Sequence, residues 1–532
     1  MGVPLAPTQR MTNLYRNFLN VGVMTTGSRI LGFVRDALVA AVLGTGPAAD
    51  AYLAAFRFPN LFRRLFAEGA FNTAFIPLFA KHLEQDGTEA ARLWAARIMS
   101  WLVAVVTSVT ILVEIFMPWI LPLFVPGFLD DPQKYDLTVL LTRICFPYLM
   151  CMSLMAAYAA ILNGLNRFTA SSFAPILLNI VMIVFMAPLV LWPNTDVQTA
   201  IWIAIGTIAG GIAQLAMVYA AIRRAGFVPH LHWPKFDAEV QRFWILAIPA
   251  VIAGGITQVN IFVGTIIASS ADSAIAYLYY ADRLYQLPLG IIGIAIGTVL
   301  LPELSRHLKG GRDREADASQ NQALLISMLL SMPAATALIA LAQPIVAVLF
   351  QRGAFSATDT YETAQTMIWF SAGLPAYVLI RVLQPGFFAR EDTKTPTIFA
   401  GVSVIINIVL SLLLFPSFKH VGIALATSVA AWANAVLLGV WLGRRGHFTL
   451  PAEDWRRHAL IIVASLVMAA VLYGLSIPLA PYLSPKAPLI AQLVALGAVC
   501  AFGAGLYFVL VHVTGAQRLD VLMSRLRRKP AA

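Results

Sequence analysis

The sequence predicts an all-α polytopic membrane protein with about fourteen transmembrane helices, arranged as two parallel-related six-helix lobes plus two extra C-terminal helices. Three observations predict it. Of the 532 residues, 59% are hydrophobic and 12% charged, against about 45–50% and about 25% in ordinary soluble domains. Apolar stretches recur along the whole length instead of forming one terminal anchor, and the mean hydropathy is +0.77, more apolar surface than one core could bury. Basic clusters alternate with those stretches. The excess of 37 Lys+Arg over 26 Asp+Glu, a net charge of +11, therefore reads as membrane topology and not as a nucleic-acid surface.

A spanning helix needs about 20 mostly apolar residues. The first candidate starts near Phe18, after a polar opening with no small-residue cleavage pattern behind it, so no removable signal peptide is expected. The second starts near Ala51 and carries Pro59 and Gly69; the third starts near Trp94 and runs to a connector rich in proline, Pro122, Pro126 and Pro132. The fourth, near Leu137, ends before Arg167; the fifth, near Ser171, ends at Trp192-Pro193-Asn194; the sixth, near Val197, ends at Arg223-Arg224. Spans seven and eight start near Phe243 and Ala274, and the eighth stops before Lys309-Gly310-Gly311. The ninth to twelfth start near Ala323, Thr363, Thr397 and Val421, separated by Arg352, Arg390 and Lys419. The last two start near Leu460 and Leu489, with a basic tail after them.

Segments on the N-terminal side hold 25 Lys and Arg, whereas the opposite loops hold four: Lys134, Arg352, Lys419 and Lys486. The positive-inside rule then puts both termini in the cytoplasm. Strings recur at a fixed offset. Ile76-Pro77-Leu78-Phe79-Ala80-Lys81-His82 ends the second span and Leu301-Pro302-Glu303-Leu304-Ser305-Arg306-His307 the eighth, while Arg167 with Asn179 around the fifth is answered by Arg390 with Asn407 around the eleventh. Spans one to six and seven to twelve thus read as two copies of one unit; an even number of spans separates them, so the copies are parallel. The expected boundaries are 1–225, 226–445 and a third segment, 446–532.

Eight arginines fall inside spans: Arg29, Arg35, Arg57, Arg63, Arg64, Arg143, Arg283 and Arg381. Each would cost about 2.5–3.5 kcal/mol facing lipid, even on a lenient scale, so they must line water or find partners. Partners on the same helix lie at i±3 and i±4. Arg64 has Glu68 there and reads as a structural ion pair. Arg29, Arg35, Arg63 and Arg283 have no acid at those positions, although Asp36, Asp50, Glu68 and Asp282 could reach them from elsewhere. Forked, permanently charged guanidinium groups suit a phosphate or diphosphate. Three come from the first copy and the fourth from the second, as expected for a cavity between the lobes.

Enzymatic readings find little support. The eight histidines are scattered and Cys145, Cys151 and Cys500 lie in apolar stretches, so neither a metal site nor a disulfide framework is expected. No Walker loop, HExxH or Gly-x-Ser-x-Gly elbow is present.

The strings Ser28-Arg29-Ile30-Leu31-Gly32-Phe33-Val34-Arg35-Asp36, Asp50-Ala51, Phe58-Pro59-Asn60-Leu61-Phe62-Arg63-Arg64-Leu65-Phe66-Ala67-Glu68-Gly69-Ala70-Phe71, Tyr279-Tyr280-Ala281-Asp282-Arg283-Leu284 and Pro385-Gly386-Phe387-Phe388 resemble the MurJ (MviN) lipid II flippase family. The resemblance runs from about Leu14 to the last span. It implies a member of the multidrug/oligosaccharidyl-lipid/polysaccharide (MOP) exporter superfamily, a transporter and not an enzyme. Its members move the undecaprenyl-diphosphate-linked peptidoglycan precursor to the outer leaflet of a bacterial inner membrane, in cell wall biogenesis. It further implies that Arg29, Arg35, Arg63 and Arg283 bind substrate, with an acidic position at Asp50 and a basic one at Arg57 and Arg381, and that the last two spans hold the polyprenyl tail. Two departures stand out. Gln286 replaces an acid found in some relatives, and the seventh and eleventh spans offer only neutral Gln258, Asn260 and Asn407 where one branch holds sodium. No cofactor is expected; membrane potential is the expected driving force, with sodium in question. The alternatives are export of another polyprenyl-diphosphate oligosaccharide or a drug on the same fold, and a membrane enzyme acting on polyprenyl phosphate.

Overall fold

The computed structural model describes the backbone of residues 7–63, 71–192 and 194–517, with side chains apart from 7–20, 72–73, 250, 252–257 and 294–299. Every regular element among them is helical. In chain order they are α1 (Pro7–Leu43), α2 (Pro47–Arg63), α3 (Phe71–Gln85), α4 (Gly87–Ile120), two 3-10 turns (Leu121–Leu123 and Pro126–Asp130), α5 (Pro132–Cys145), α6 (Tyr148–Gly164), α7 (Thr169–Leu191) and α8 (Asp196–Arg224). There follow α9 (Ala238–Ala268), α10 (Ala274–Lys309), α11 (Asp313–Ala340), α12 (Ala342–Phe350), α13 (Ala357–Phe388), α14 (Lys394–Arg444), α15 (Ala452–Ser476), α16 (Ala480–Leu483) and α17 (Leu489–Val513). Their ends follow local chemistry: Thr195 with Gln198 and Ser356 with Asp359 form capping boxes that start α8 and α13.

Among the described residues nine helical stretches are long and apolar enough to cross a membrane by length and composition, fewer than the fourteen expected. Part of the difference lies in α14. Its 51 residues would run about 76 Å if straight, more than twice the hydrocarbon thickness of about 30 Å. Instead the chain breaks at Lys419, whose φ is 47° and ψ −131°, and folds back. Ser403 donates to the Ala430 carbonyl at 2.8 Å and Thr427 to Asn407 Oδ1 at 3.3 Å. A Cβ on Gly422 would stand 2.9 Å from the Leu414 carbonyl oxygen. The expected eleventh and twelfth spans are the two arms of this hairpin. Helices α7 and α8 make the corresponding one, with Trp202 donating to the Phe185 carbonyl at 2.7 Å and Gln214 to that of Ala174 at 2.7 Å. The recurring Pro77 and Pro302 likewise both sit inside helices, α3 and α10.

The chain divides into two compact units, Met1–Ala276 and Tyr277–Ala532. Helix α9 packs within the first unit. Phe71 meets Phe243 at 5.7 Å and Phe124 meets Phe262 at 4.2 Å. The turn at Gly127 lies directly on the end of α9, where a Cβ would come within 2.4 Å of the Ser269 carbonyl oxygen; only glycine allows that approach. In the second unit α15 and α17 pack on α11: the Tyr507 hydroxyl donates to the Leu329 carbonyl at 2.8 Å and Thr336 to that of Ser465 at 3.2 Å.

Candidate functional site

Helix α1 carries the first two arginines. Arg29 is exposed and makes no hydrogen bond or ion pair among the described residues. Arg35 is held on two sides. Its Nε and Nη2 donate to Asp36 Oδ1 at 3.0 and 2.7 Å, and its Nη1 donates to Asn179 Oδ1 on α7 at 3.1 Å. Asp36, one of the acids expected within reach, lies next to Arg35 in the chain, about 100° around the helix, not at i±3 or i±4. The arginine stem is long enough to curl back to it.

On α2, Arg57 Nη1 donates to the Thr265 hydroxyl of α9 at 2.9 Å, and Arg63 Nε to Asn60 Oδ1 at 3.1 Å. Both of these acceptors are neutral oxygens. Asn60 is itself fixed by donating to the Phe56 carbonyl one turn back, at 2.8 Å. Arg64 and Glu68, expected to pair, lie outside the described residues.

Asp50, at the start of α2, is wholly buried. One carboxylate oxygen accepts from Lys134 Nζ at 2.9 Å and the other from the Ala276 N–H at 3.0 Å. Lys134 is 4% exposed, sits 4.2 Å from the Phe128 ring centre, and reaches Asp272 at 3.9 Å. Here Asp50 faces protein donors, as a structural charge would. Sequence reasoning placed Lys134 among ordinary loop charges; nothing in a count of basic residues distinguishes a buried lysine from a solvated one.

In the second unit the Arg283 guanidinium lies over the Tyr279 ring at 4.7 Å, a cation–π contact that positions the fork without neutralising it. Gln286, one of the departures, donates to Asp282 one turn back. Arg381 is exposed on α13 and runs along Gly293, where a Cβ would meet its Cδ at 2.6 Å. Arg143, in the first unit, donates to the Glu114 carbonyl at 3.0 Å.

The neutral groups at the questioned sodium position are engaged or partly covered. Asn407 Oδ1 accepts from the Ser411 and Thr427 hydroxyls at 3.4 and 3.3 Å, and Gln258 and Asn260 are half-buried. No group of three His, Cys, Asp or Glu among the described residues could hold a metal ion. Within each unit, then, the unusual feature is guanidinium groups on otherwise apolar helices, oriented by asparagine, threonine, tyrosine and one aspartate. Such groups bind anions; they are not arranged as a nucleophile with a base.

Comparison with known proteins agrees in family and fold. Residues 39–491 match the family described as Lipid II flippase MurJ. A curated relative from Rhizobium tropici, "Probable lipid II flippase MurJ", is 46% identical over 524 residues, covering 98% of each chain. A solved structure of "Lipid II flippase MurJ, inward closed conformation" superposes with a TM-score of 0.76 at 27% identity, covering 93% of this chain and 98% of that one. An inward-facing multidrug resistance MATE family transporter of the MOP superfamily gives 0.65 at 14% identity, over 79% and 94% of the two chains, a likeness of fold alone. By the extent of the family match and this identity across nearly its whole length, the chain belongs to the lipid II flippase MurJ family.

Proposed function

We propose that the chain is a flippase for the undecaprenyl-diphosphate-linked peptidoglycan precursor, lipid II. It carries the headgroup from the cytoplasmic to the periplasmic leaflet of a bacterial inner membrane, with both its termini in the cytoplasm. The observation that carries this reading is Arg29, an always-charged side chain exposed on a membrane helix and without an ion pair among the described residues. In a protein of this family, the partner such a group awaits is the diphosphate. Arg35, Arg63 and Arg283 share that load. Each presents a planar fork of five N–H donors suited to phosphoryl oxygens. Arg57 adds positive potential from its place beside Thr265. Asp50 acts from its buried position on Lys134 and the Ala276 N–H.

The cycle is alternating access. The headgroup site opens to one side and then the other, while the polyprenyl chain stays in lipid or against the last two spans. Binding cancels much of the arginine charge before the loaded site crosses. A charge moved through the full field is worth about 2.3 kcal/mol per 100 mV, so an interior-negative potential pulls the empty, positive site back toward the cytoplasm. Membrane potential therefore drives the return step. Depleting the protein in cells tests the substrate: lipid II should accumulate on the cytoplasmic leaflet, and accumulation of a different lipid-linked oligosaccharide would redirect the assignment.

A further inference from the structure

Asn179 reaches Arg35 from another helix, α7. It is 5% exposed and uses both ends of its amide: Oδ1 accepts from Arg35 Nη1 at 3.1 Å, and Nδ2 donates to the Ser28 carbonyl of α1 at 3.0 Å. Gly32 lies beneath it, where a Cβ would stand 3.5 Å from Nδ2. Asp36, 3% exposed, holds the other edge of the guanidinium through Nε and Nη2. A long side chain with many rotamers is thereby held in one orientation from two directions. The repeat's counterpart asparagine, Asn407, spends its oxygen on Ser411 and Thr427 within its own hairpin.

We infer that Asn179 is a positioning residue for the diphosphate, acting through Arg35: it fixes the fork in the orientation that accepts the headgroup. This rests on the proposed function of the arginines. Preorganisation of this kind raises affinity by removing the cost of ordering the side chain at the moment of binding. An apolar side chain of similar size at 179 would remove the hydrogen bond that holds Nη1 and let the fork lean toward the Asp36 carboxylate.

The test measures binding of undecaprenyl diphosphate to the purified full chain in nanodiscs, for the wild type, Asn179→Leu, Arg35→Ala and the double variant, with thermal unfolding alongside. Asn179→Leu should weaken binding about tenfold, the size expected of one hydrogen bond to a charged group, and should cost nothing further when Arg35 is already alanine. If Asn179→Leu fails to fold, Asn179→Ser, whose hydroxyl is too short to reach the guanidinium, takes its place in the same cycle. Three results would overturn the inference. Undiminished binding in Asn179→Leu with a loss in Arg35→Ala removes Asn179 and leaves the arginine site standing. A full additional loss in the double variant makes Asn179 a structural residue acting independently. Unchanged binding in Arg35→Ala sinks Arg35 as a headgroup ligand, and the positioning role with it.

Discussion

Replacing Lys134 with methionine strands the Asp50 carboxylate. In the native protein Asp50 is wholly buried, with Lys134 Nζ at 2.9 Å and the Ala276 N–H at 3.0 Å; the variant leaves the carboxylate to backbone N–H groups, those of Ala276 and Ser273, with no counter-charge. Removing one member of a buried pair costs about 3–5 kcal/mol because the remaining charge is uncompensated. Protonation sets a ceiling. A carboxyl whose ordinary value is about 3.9 can take up a proton at pH 7 for about 4 kcal/mol, so the expected loss is about 3–4 kcal/mol. At roughly 2–4 °C per kcal/mol for a large domain, unfolding should shift down by roughly 6–16 °C, read from intrinsic fluorescence of the purified protein during heating. The defect should shrink at pH 5, where protonating the stranded carboxyl is easier. Asp50→Asn combined with Lys134→Met keeps an acceptor for the Ala276 N–H and removes both charges, so it should recover most of the loss. A double variant no more stable than the single one would refute the reasoning.

The remaining expectations follow from the arginines, the topology and one loop. Arg63→Ala and Arg283→Ala should abolish complementation while leaving expression within about twofold of wild type, because neither side chain is in the packed core; Arg63→Lys should also be impaired, since a point charge does not reproduce the fork. Normal growth of Arg63→Ala at normal expression would remove Arg63 from the site. A cysteine placed in 192–197 should react with an impermeant reagent in intact cells and one near Gly310 should not. Flipping should fall when the membrane potential is collapsed and persist when potassium replaces sodium at constant potential; strict sodium dependence would point to Gln258, Asn260 and Asn407 as ion ligands. In the loop before α14, the Thr395 N–H and hydroxyl, together with Arg445, hold the Asp392 carboxyl at about 2. Because its folded value is depressed, its stabilising contribution is full above about pH 4, the ordinary aspartate range, and is lost as pH falls toward 2. The difference in unfolding temperature between wild type and Asp392→Asn should accordingly be flat from pH 8 to 5 and narrow below it.

Much of the fold is legible in the sequence because lipid enforces it: with no water to satisfy the backbone, apolar runs must be helices. The hairpin arms of α14 were expected as separate spans from Lys419 and the apolar runs on either side. What periodicity could not supply was placement between elements. The 225/226 boundary followed from the repeat, yet α9 packs in the first unit through Phe243, Phe262 and Ser269. Those are long-range contacts of ordinary apolar and small residues. The arginines stood out one by one because charge in a membrane is costly, and Asp36 was among the carboxylates expected within reach of them, whereas their neutral partners did not stand out: Asn179 comes from α7 and Thr265 from α9. Neutral amides and hydroxyls carry no composition signal. Lys134 was hidden for a different reason, since a lysine near the end of a span counts as a loop charge until its burial against Asp50 and Phe128 is seen.

The claim that the chain flips lipid II is tested by reconstituting the purified protein in liposomes whose lipid II carries a fluorescent headgroup. An impermeant reagent that destroys the label then reports how much of it faces outward. With a membrane potential imposed, the wild-type protein should make nearly the whole pool accessible, whereas protein-free liposomes and the Arg283→Ala variant should leave the inner-leaflet pool protected. Protection of that pool in the presence of folded wild-type protein would contradict the claim.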